Sequence, residues 1–197
     1  TILCGARVER AERLAEGWRL ETTRGPIECA WVVNAAGLFA DDVARMCGVG
    51  DHRIVPVRGD YFRWRGAPRF ERLVYPAPVE HAGGLGVHVT LDLAGGVRLG
   101  PDVQWGVERL DHAPPADEDA RRLRFYEAGR ALFPGLRLEA LSWDGCGVRP
   151  KRRGPDELER DFHVAIDAPG LVDLVGIESP GLTAAMALAE RVSTLVP

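Results

Sequence analysis

The sequence predicts an α/β protein in which two stretches typical of a parallel sheet flank an antiparallel, β-rich region. Residues 31–34 form a short apolar strand that runs through small residues into a helical pattern over 38–47. From residue 53 the pattern changes to β-branched and aromatic strands between Gly and Pro turns. An apolar strand over 171–176 then precedes a helix over 182–195. This order predicts a discontinuous first domain, residues 1–48 and 149–197, around a β-rich domain of residues 49–148.

The first region is predicted to open with a small β-meander. Residues 2–10 and 17–23 alternate as strands do, and Gly25-Pro26 supplies a turn before a third strand over 27–30. Val32 and Val33 are both apolar, which predicts that the strand over 31–34 is buried on both faces. The strand, its small-residue turn and the following helix have the form of half a nucleotide-binding unit.

The second region is predicted to be an antiparallel sheet with one helix. Strands are expected over 53–65, 72–75, 86–91, 96–99 and 138–148. A helix is expected over 118–133, with an apolar face made of Leu123, Tyr126, Ala131 and Leu132. A last strand over 162–166 leads back to the first region.

Composition excludes several classes of function. The chain has 197 residues, 46% of them hydrophobic, and a net charge of −4 from 25 basic and 29 acidic residues. This balance leaves no basic surface for nucleic acid. The four cysteines (Cys4, Cys29, Cys47 and Cys146) are too far apart in sequence to suggest a metal site, so none is predicted.

Targeting signals are also lacking in the sequence. No run reaches the roughly 18 to 20 apolar residues of a membrane span, and no signal peptide is recognisable. The sequence therefore predicts a cytoplasmic setting, with peripheral membrane contact left open. The chain starts at Thr1 in strand-like sequence, from which we expect it to be the later part of something longer.

Several short sequence motifs (phrases below) occur together in one group of flavoenzymes. They are Val33-Asn34-Ala35-Ala36-Gly37, Pro56-Val57-Arg58-Gly59-Asp60-Tyr61, Val74-Tyr75-Pro76, residues 84–90, Gly100-Pro101-Asp102, residues 145–150 and residues 176–183. In this order they resemble the D-amino-acid-oxidase-like superfamily of FAD-dependent oxidoreductases. Within that superfamily the chain is most similar to the L-2-hydroxyglutarate oxidase/dehydrogenase group. The resemblance implies a partial Rossmann-like FAD-binding domain and an antiparallel substrate domain.

One feature of that superfamily is missing. Its members place the FAD pyrophosphate at a glycine-rich first βα turn, whereas Gly83-Gly84-Leu85-Gly86 here lies in the wrong context. We therefore expect a missing N-terminal unit, which would expose apolar surface around Val32 and Leu174 and favour self-association.

The resemblance assigns two groups of residues to FAD. Val8 would lie near the adenine, while Ala35, Ala36 and Gly37 would let the nucleotide pack on the backbone. A close contact between helix and strand would explain these small residues equally well. In the second group, the amides and helix dipole of the turn would stabilise reduced flavin, the alternative being an ordinary capped helix. The turn residues are Ser179, Pro180, Gly181, Leu182 and Thr183.

The resemblance also implies substrate residues. Arg149 would pair bidentately with a substrate carboxylate, the alternative being a structural ion pair. Lys151 would share its strand face and meet a second carboxylate, unless it belongs to a solvated loop. His88 is the candidate base for the substrate hydroxyl, the alternative being a histidine with a purely structural role in the sheet. Thr90 on the same strand face would orient the substrate, and Tyr61 and Tyr75 would close its pocket.

The predicted function is oxidation of an L-2-hydroxy acid such as L-2-hydroxyglutarate to the 2-oxo acid, with hydride transfer to flavin N5. Oxygen or a membrane quinone would accept the electrons. An enzyme acting on an amino acid, sarcosine or glycerol 3-phosphate is the alternative, as is a non-catalytic remnant that binds a small carboxylate. His52, His81, His112 and His163 are assigned no role.

Overall fold

A computed structural model describes residues 1–77, 86–154 and 157–197, and it is a mixed α/β structure with antiparallel sheets. Gly84 and Leu85 of the quoted phrases, and His81, lie outside the described residues. Its helices are α1 (Ala40–Met46), α2 (Glu118–Leu132) and α3 (Ala185–Leu195), with 3-10 turns over Gly37–Phe39 and Leu138–Ala140. Its strands are β1 (Val8–Arg13), β2 (Trp18–Thr22), β3 (Ile27–Cys29), β4 (Val32–Asn34), β5 (Ile54–Trp64), β6 (His88–Leu91), β7 (Val97–Gly100), β8 (Gln104–Trp105), β9 (Leu141–Arg153), β10 (Glu159–Arg160), β11 (His163–Ala168) and β12 (Leu171–Val175).

The chain forms two compact units, residues 1–55 with 149–197 and residues 56–148. None of the helices among the described residues combines the length and the apolar character needed to cross a membrane.

The first unit contains two three-stranded sheets. One is the antiparallel meander β1-β2-β3, and the other has the order β11-β12-β4. In the second sheet β12 runs parallel to β4, with Val172 opposite Val33 and Asp173 opposite Asn34. A core of Trp18, Val32, Cys47 and Leu171 holds this unit together.

Three sequence expectations for the first unit are wrong. The first strand begins at Val8 rather than residue 2, because a turn at residues 4–5 precedes it. Strand β4 is buried on one face only, since Val33 is 45% exposed while Val32 is buried. The reason is that Val33 lines a cavity beside α3, which leaves this face of the strand open. The last helix starts at Ala185 instead of residue 182, because residues 179–184 form turns.

The second unit is an antiparallel sheet covered by α2. Strand β5 pairs with β7 and β8, and β6 pairs with β7 as a hairpin. Phe125 and Gly129 are the buried residues of α2. The predicted apolar face is right for Tyr126, which packs against the core, and wrong for Leu123, which is 45% exposed. A Cβ on Gly129 would come within 2.8 Å of the Leu99 and Leu136 side chains, which shows how closely this helix approaches the sheet.

The strands of the second unit also differ from expectation in extent. The strand predicted over 72–75 is reduced to a single bridge between Val74 and Val89. The strand predicted over 138–148 starts at Leu141 and continues to Arg153. Its last residues, in the first unit, are held by pairing with β10.

Candidate functional site

The small-residue turn after β4 is fixed by one buried side chain. Asn34 is 2% exposed, and its Nδ2 donates to the Ala40 carbonyl at 2.8 Å and to Asp173 Oδ1 at 2.6 Å. Its Oδ1 accepts from the Ala36 amide at 3.2 Å. Asn34 therefore fixes the turn in place, while the Ala35 and Ala36 side chains stay exposed.

Two cavities of the first unit share this turn. The smaller, about 180 Å³, is lined by Val8, Ala35 and Ala36. The larger, about 650 Å³, is mostly apolar and lies between Ala35, Gly37, Gly181 and the residues of α3. The structure thus brings Val8 to the β4 turn, and brings that turn to the turn before α3.

The turn before α3 is tightly built around Gly181. Gly181 is buried, and a Cβ there would lie 2.5 Å from both the Glu178 carbonyl oxygen and Ile177 Cγ2. Its amide donates to Glu178, and the Ala184 amide donates to Pro180 at 3.0 Å. The amides of Leu182 and Thr183 take no part in the hydrogen bonds of this turn.

The other residues assigned to the flavin on this turn face solvent. Ser179, Pro180, Leu182 and Thr183 are exposed, and Leu182 is 94% exposed. Of the five, Gly181 lines the larger cavity. The expected exposed apolar surface is centred on Val33 rather than Val32, with Leu174 half-buried.

The two candidate cations share strand β9. Arg149 and Lys151 are half-buried and two residues apart, so their side chains leave the same face of the strand. Lys151 Nζ lies 2.9 Å from Glu159 Oε2 and 2.9 Å from Glu178 Oε1. Burial would lower the pKa of Lys151, but the hydrogen bonds to Glu178 and Glu159 raise it. Its charge is therefore already neutralised by two carboxylates.

Sequence reasoning missed Glu178 as the partner of Lys151. The signal was present, since this acid interrupts an otherwise apolar and glycine-rich phrase over 176–183.

In the second unit, His88 is held in a defined tautomer. It is 7% exposed, and its Nδ1 lies 2.8 Å from the Gly86 carbonyl oxygen, which can only accept a hydrogen bond. In the neutral ring, Nδ1 therefore carries the hydrogen and Nε2 is the basic nitrogen. The Tyr75 ring stacks on His88 with centroids 4.2 Å apart.

The remaining candidates of the second unit lie on the same sheet face as His88. Gly100 pairs with His88, and the β5–β7 register places Tyr61 on its other side. A Cβ on Gly100 would meet the Asp60 carbonyl oxygen at 2.6 Å and the Tyr61 ring at 3.0 Å, so only glycine lets Tyr61 pack against this backbone. Thr90 follows His88 by two residues and is half-buried. The sheet therefore places Tyr61, His88 and Thr90 on the face opposite the core of α2.

A buried network that sequence reasoning missed lies on the core face of the same sheet. Asp60 is fully buried and accepts hydrogen bonds from Arg58, Gln104, Arg121 and Trp143. Arg58 and Asp60 belong to a phrase that carries the resemblance, but only the fold brings Arg121 and Trp143 to them.

Comparisons with known proteins give one family. The model of the family DAO, described as FAD dependent oxidoreductase, matches residues 1–195. The mitochondrial L-2-hydroxyglutarate dehydrogenase of Arabidopsis thaliana is 43% identical over 179 residues, which cover 82% of this chain and 36% of that protein. A glycerol 3-phosphate dehydrogenase of Caloramator mitchellensis is 29% identical over 95% of this chain and 38% of its own length.

Solved structures agree on the fold. An L-alpha-glycerophosphate oxidase of Mycoplasma pneumoniae with FAD bound superposes with a TM-score of 0.78 at 25% identity. This match covers 97% of the present chain and 50% of the oxidase. A glycine oxidase of Geobacillus kaustophilus gives a TM-score of 0.71 at 19% identity, covering 97% of this chain and 48% of that one. The present chain thus spans half or less of these proteins.

Proposed function

Because the chain belongs to the DAO family of FAD-dependent oxidoreductases, we propose that it is part of an enzyme that oxidises an L-2-hydroxy acid to the 2-oxo acid. The preferred substrate is L-2-hydroxyglutarate, which the name of the 43% identical relative supports. In this proposal the first unit is the later part of a Rossmann-like FAD-binding domain and the second unit binds substrate. The observation that supports the reaction type is the contact of His88 Nδ1 with the Gly86 carbonyl oxygen, which makes Nε2 the basic nitrogen of the neutral ring.

The first unit has a surface that fits a flavin nucleotide. Ala35 and Ala36 expose only methyl groups, and a Cβ on Gly37 would meet nothing within 4 Å. A flat apolar ligand could therefore approach the backbone of this turn. Val8 lines the smaller cavity beside it, and Gly181 borders the larger one. When bound, FAD would accept the hydride of the substrate.

His88 can remove the proton of the substrate hydroxyl. Its Nδ1–H is engaged by the Gly86 carbonyl, so Nε2 is the atom that receives the proton. The stacked Tyr75 ring fixes the imidazole plane, and Thr90 on the same face offers a hydroxyl. Tyr61 packs against Gly100, the residue that pairs with His88, and would bound the substrate on that side.

Arg149 is proposed to bind the substrate carboxylate through its planar guanidinium group. Lys151 shares its strand face, but a second substrate carboxylate would have to compete with Glu159 and Glu178 for it. For this reason we assign the larger share of carboxylate binding to Arg149.

Glycerol 3-phosphate is the second candidate substrate. A relative that carries this activity in its name is 29% identical over 95% of the chain, and a solved glycerophosphate oxidase has a TM-score of 0.78. A non-catalytic remnant that binds a small carboxylate is the alternative outside enzymes.

Flavin absorbance tests the cofactor assignment first. The purified chain is titrated with FAD, and saturable binding is expected to perturb the flavin spectrum. A colourless chain that cannot be reconstituted would favour the remnant.

Anaerobic reduction tests the substrate. L-2-hydroxyglutarate should bleach the flavin, while glycerol 3-phosphate, glycine and sarcosine should not. If the chain alone does not hold FAD, the same assay is run on the full-length Arabidopsis relative, with the change at the position aligned with His88. His88→Ala should slow bleaching about 10²- to 10⁴-fold, and His112→Ala is the matched control. Bleaching by glycerol 3-phosphate alone would refute the preferred substrate.

A further inference from the structure

Two imidazoles and one carboxylate meet in the first unit. His52 precedes β5, while His163 and Asp167 lie on β11. His52 Nε2 is 2.6 Å from Asp167 Oδ2, and His163 Nε2 is 2.7 Å from the same oxygen. One nitrogen or oxygen from each of the three side chains lies within 4.8 Å of the other two. The sequence predicts no metal site because its cysteines are scattered, but this cluster contains no cysteine.

The cluster is shielded but reachable from solvent. The exposed fractions of the side chains are 5% for His52, 16% for Asp167 and 22% for His163. The two rings are tilted by 54° with centroids 4.5 Å apart, so both Nε2 atoms converge on one carboxylate instead of stacking. Both Nε2 atoms therefore contact the same oxygen, Asp167 Oδ2.

We propose that His52, His163 and Asp167 form a binding site for a divalent transition metal ion, with Zn²⁺ the best match. Two imidazole nitrogens and one carboxylate oxygen are a ligand set that zinc takes in sites with an open fourth position. Magnesium and calcium prefer oxygen ligands, so they should bind far more weakly. This site is independent of the flavin and does not rest on the proposed function.

The geometry needs only a small adjustment to accept the ion. Ligands at about 2.0 to 2.2 Å from a tetrahedral metal are about 3.3 Å from one another. The present separations from Oδ2 are 2.6 and 2.7 Å, as expected for hydrogen bonds in the absence of an ion. His163 is the most exposed of the three and lies on an edge strand, so it can move outward.

Metal binding requires the histidine protons to move. In the metal-free form each Nε2–H donates to Asp167, and binding requires both protons to move to Nδ1. His52 Nδ1 is buried and has no hydrogen-bond partner among the described residues. A proton on this atom would therefore have no acceptor there, and the bond from Nε2 to the metal must outweigh that cost.

A second buried carboxyl group borders the cluster. Asp173 on β12 pairs with Ala165, which lies midway between His163 and Asp167 on β11. Asp173 is fully buried, and its Oδ2 has no hydrogen-bond partner in the described part of the chain. Asp173 also interacts with Asp167, so it borders the candidate site without being one of its three ligands.

Zinc titration of the metal-stripped chain tests the site. Isothermal titration calorimetry should give one Zn²⁺ per chain, and Zn²⁺ but not Mg²⁺ at equal concentration should raise the melting temperature. His163→Gln should weaken the affinity at least tenfold. His112→Gln is the control. His112 lies 3.9 Å from Cys146 Sγ, and this pair is the alternative place where Zn²⁺ could bind. No binding at 100-fold excess of Zn²⁺, or unchanged affinity in His163→Gln, would overturn the proposal.

Co²⁺ absorption of the unaltered chain decides the matter if His163→Gln does not fold. Cobalt bound to two imidazoles and a carboxylate should give visible d–d bands with no thiolate charge-transfer band. A charge-transfer band would place the ion on a cysteine and overturn the assignment, as would the absence of any d–d band.

Discussion

Replacing Asp60 by asparagine should destabilise the second unit strongly. The carboxylate is fully buried and accepts hydrogen bonds from Arg58 Nη2 at 2.8 Å and Arg121 Nη1 at 2.6 Å. Gln104 Nε2 at 2.6 Å and Trp143 Nε1 at 2.9 Å complete its surroundings. Asparagine keeps the shape but removes the charge, so the main effect is electrostatic and no cavity is created.

The expected loss is about 3 kcal/mol of unfolding free energy. Removing one partner of a buried ion pair costs roughly 3 to 5 kcal/mol, because the other charge remains buried without compensation. The Arg58 side chain is 3% exposed, but it keeps Asp111 at 2.9 Å. Arg121 likewise keeps Asp117 at 2.6 Å. These remaining partners place the effect at the lower end of the range.

Urea unfolding followed by circular dichroism and tryptophan fluorescence measures this loss. With slopes of about 1 to 3 kcal/mol per M, a loss of about 3 kcal/mol lowers the midpoint by about 1 to 3 M. Asp119→Asn is the matched control because Asp119 is 90% exposed in its pair with Arg122, and no change in midpoint is expected. Equal midpoints for Asp60→Asn and Asp119→Asn would refute the reasoning.

The same group predicts a pH dependence. Burial alone would raise the pKa of Asp60, but the hydrogen bonds from Arg58, Trp143 and Gln104 lower it overall. Its stabilisation is therefore present above the unfolded value of about 3.9 and is lost as pH falls through the lower folded value. The difference in stability between the unaltered chain and Asp60→Asn should shrink below about pH 4. A difference that stays constant down to pH 2 would contradict this account.

Other expected outcomes concern the first unit. Gly181→Ala should destabilise it by about 1 to 3 kcal/mol, because the new Cβ would meet Glu178 and Ile177 at 2.5 Å. Gly50→Ala, where a Cβ meets nothing within 4 Å, should leave the melting temperature unchanged, and equal shifts would disprove the clash. Asn34→Ala should lower stability by about 1 to 3 kcal/mol because it removes three buried hydrogen bonds, and an unshifted urea midpoint would count against this. Iodoacetamide should label exposed Cys4 at least about 100-fold faster than Cys47 at pH 8, because burial raises the pKa of the Cys47 thiol to about 11. Equal rates in peptide mass spectrometry would exclude this.

Local patterns in the sequence predicted most elements to within a few residues. Strand β12 and helix α2 begin where expected, because apolar runs and Pro signals act over short distances. The expectations that proved wrong have causes other than the local hydrophobic pattern. The helix after β12 starts three residues late because its first residues form a turn, and Val33 is exposed because it lines a cavity beside α3. Neither cause is visible in hydrophobic periodicity.

Some features of the candidate site were likewise predicted from the sequence, whereas others required the fold. Sequence phrases located Ala35, Gly37 and Gly181, since small residues at strand ends form a local signal, and the fold then placed them around one cavity. The sequence marks Glu178 as an acid in an apolar, glycine-rich segment, but its pairing with Lys151 depends on how β9 and the turn after β12 meet.

The order of amino acids alone established the α/β class, the family resemblance and the small-residue turns, because each is encoded within about ten consecutive residues. The burial of Asp60 among two arginines, and the meeting of His52 with Asp167 across 115 positions, required the folded chain. Such contacts depend on strand register and on packing between distant segments. A one-residue slip in β5 or in β11 would turn Asp60 or Asp167 to the opposite face of its sheet.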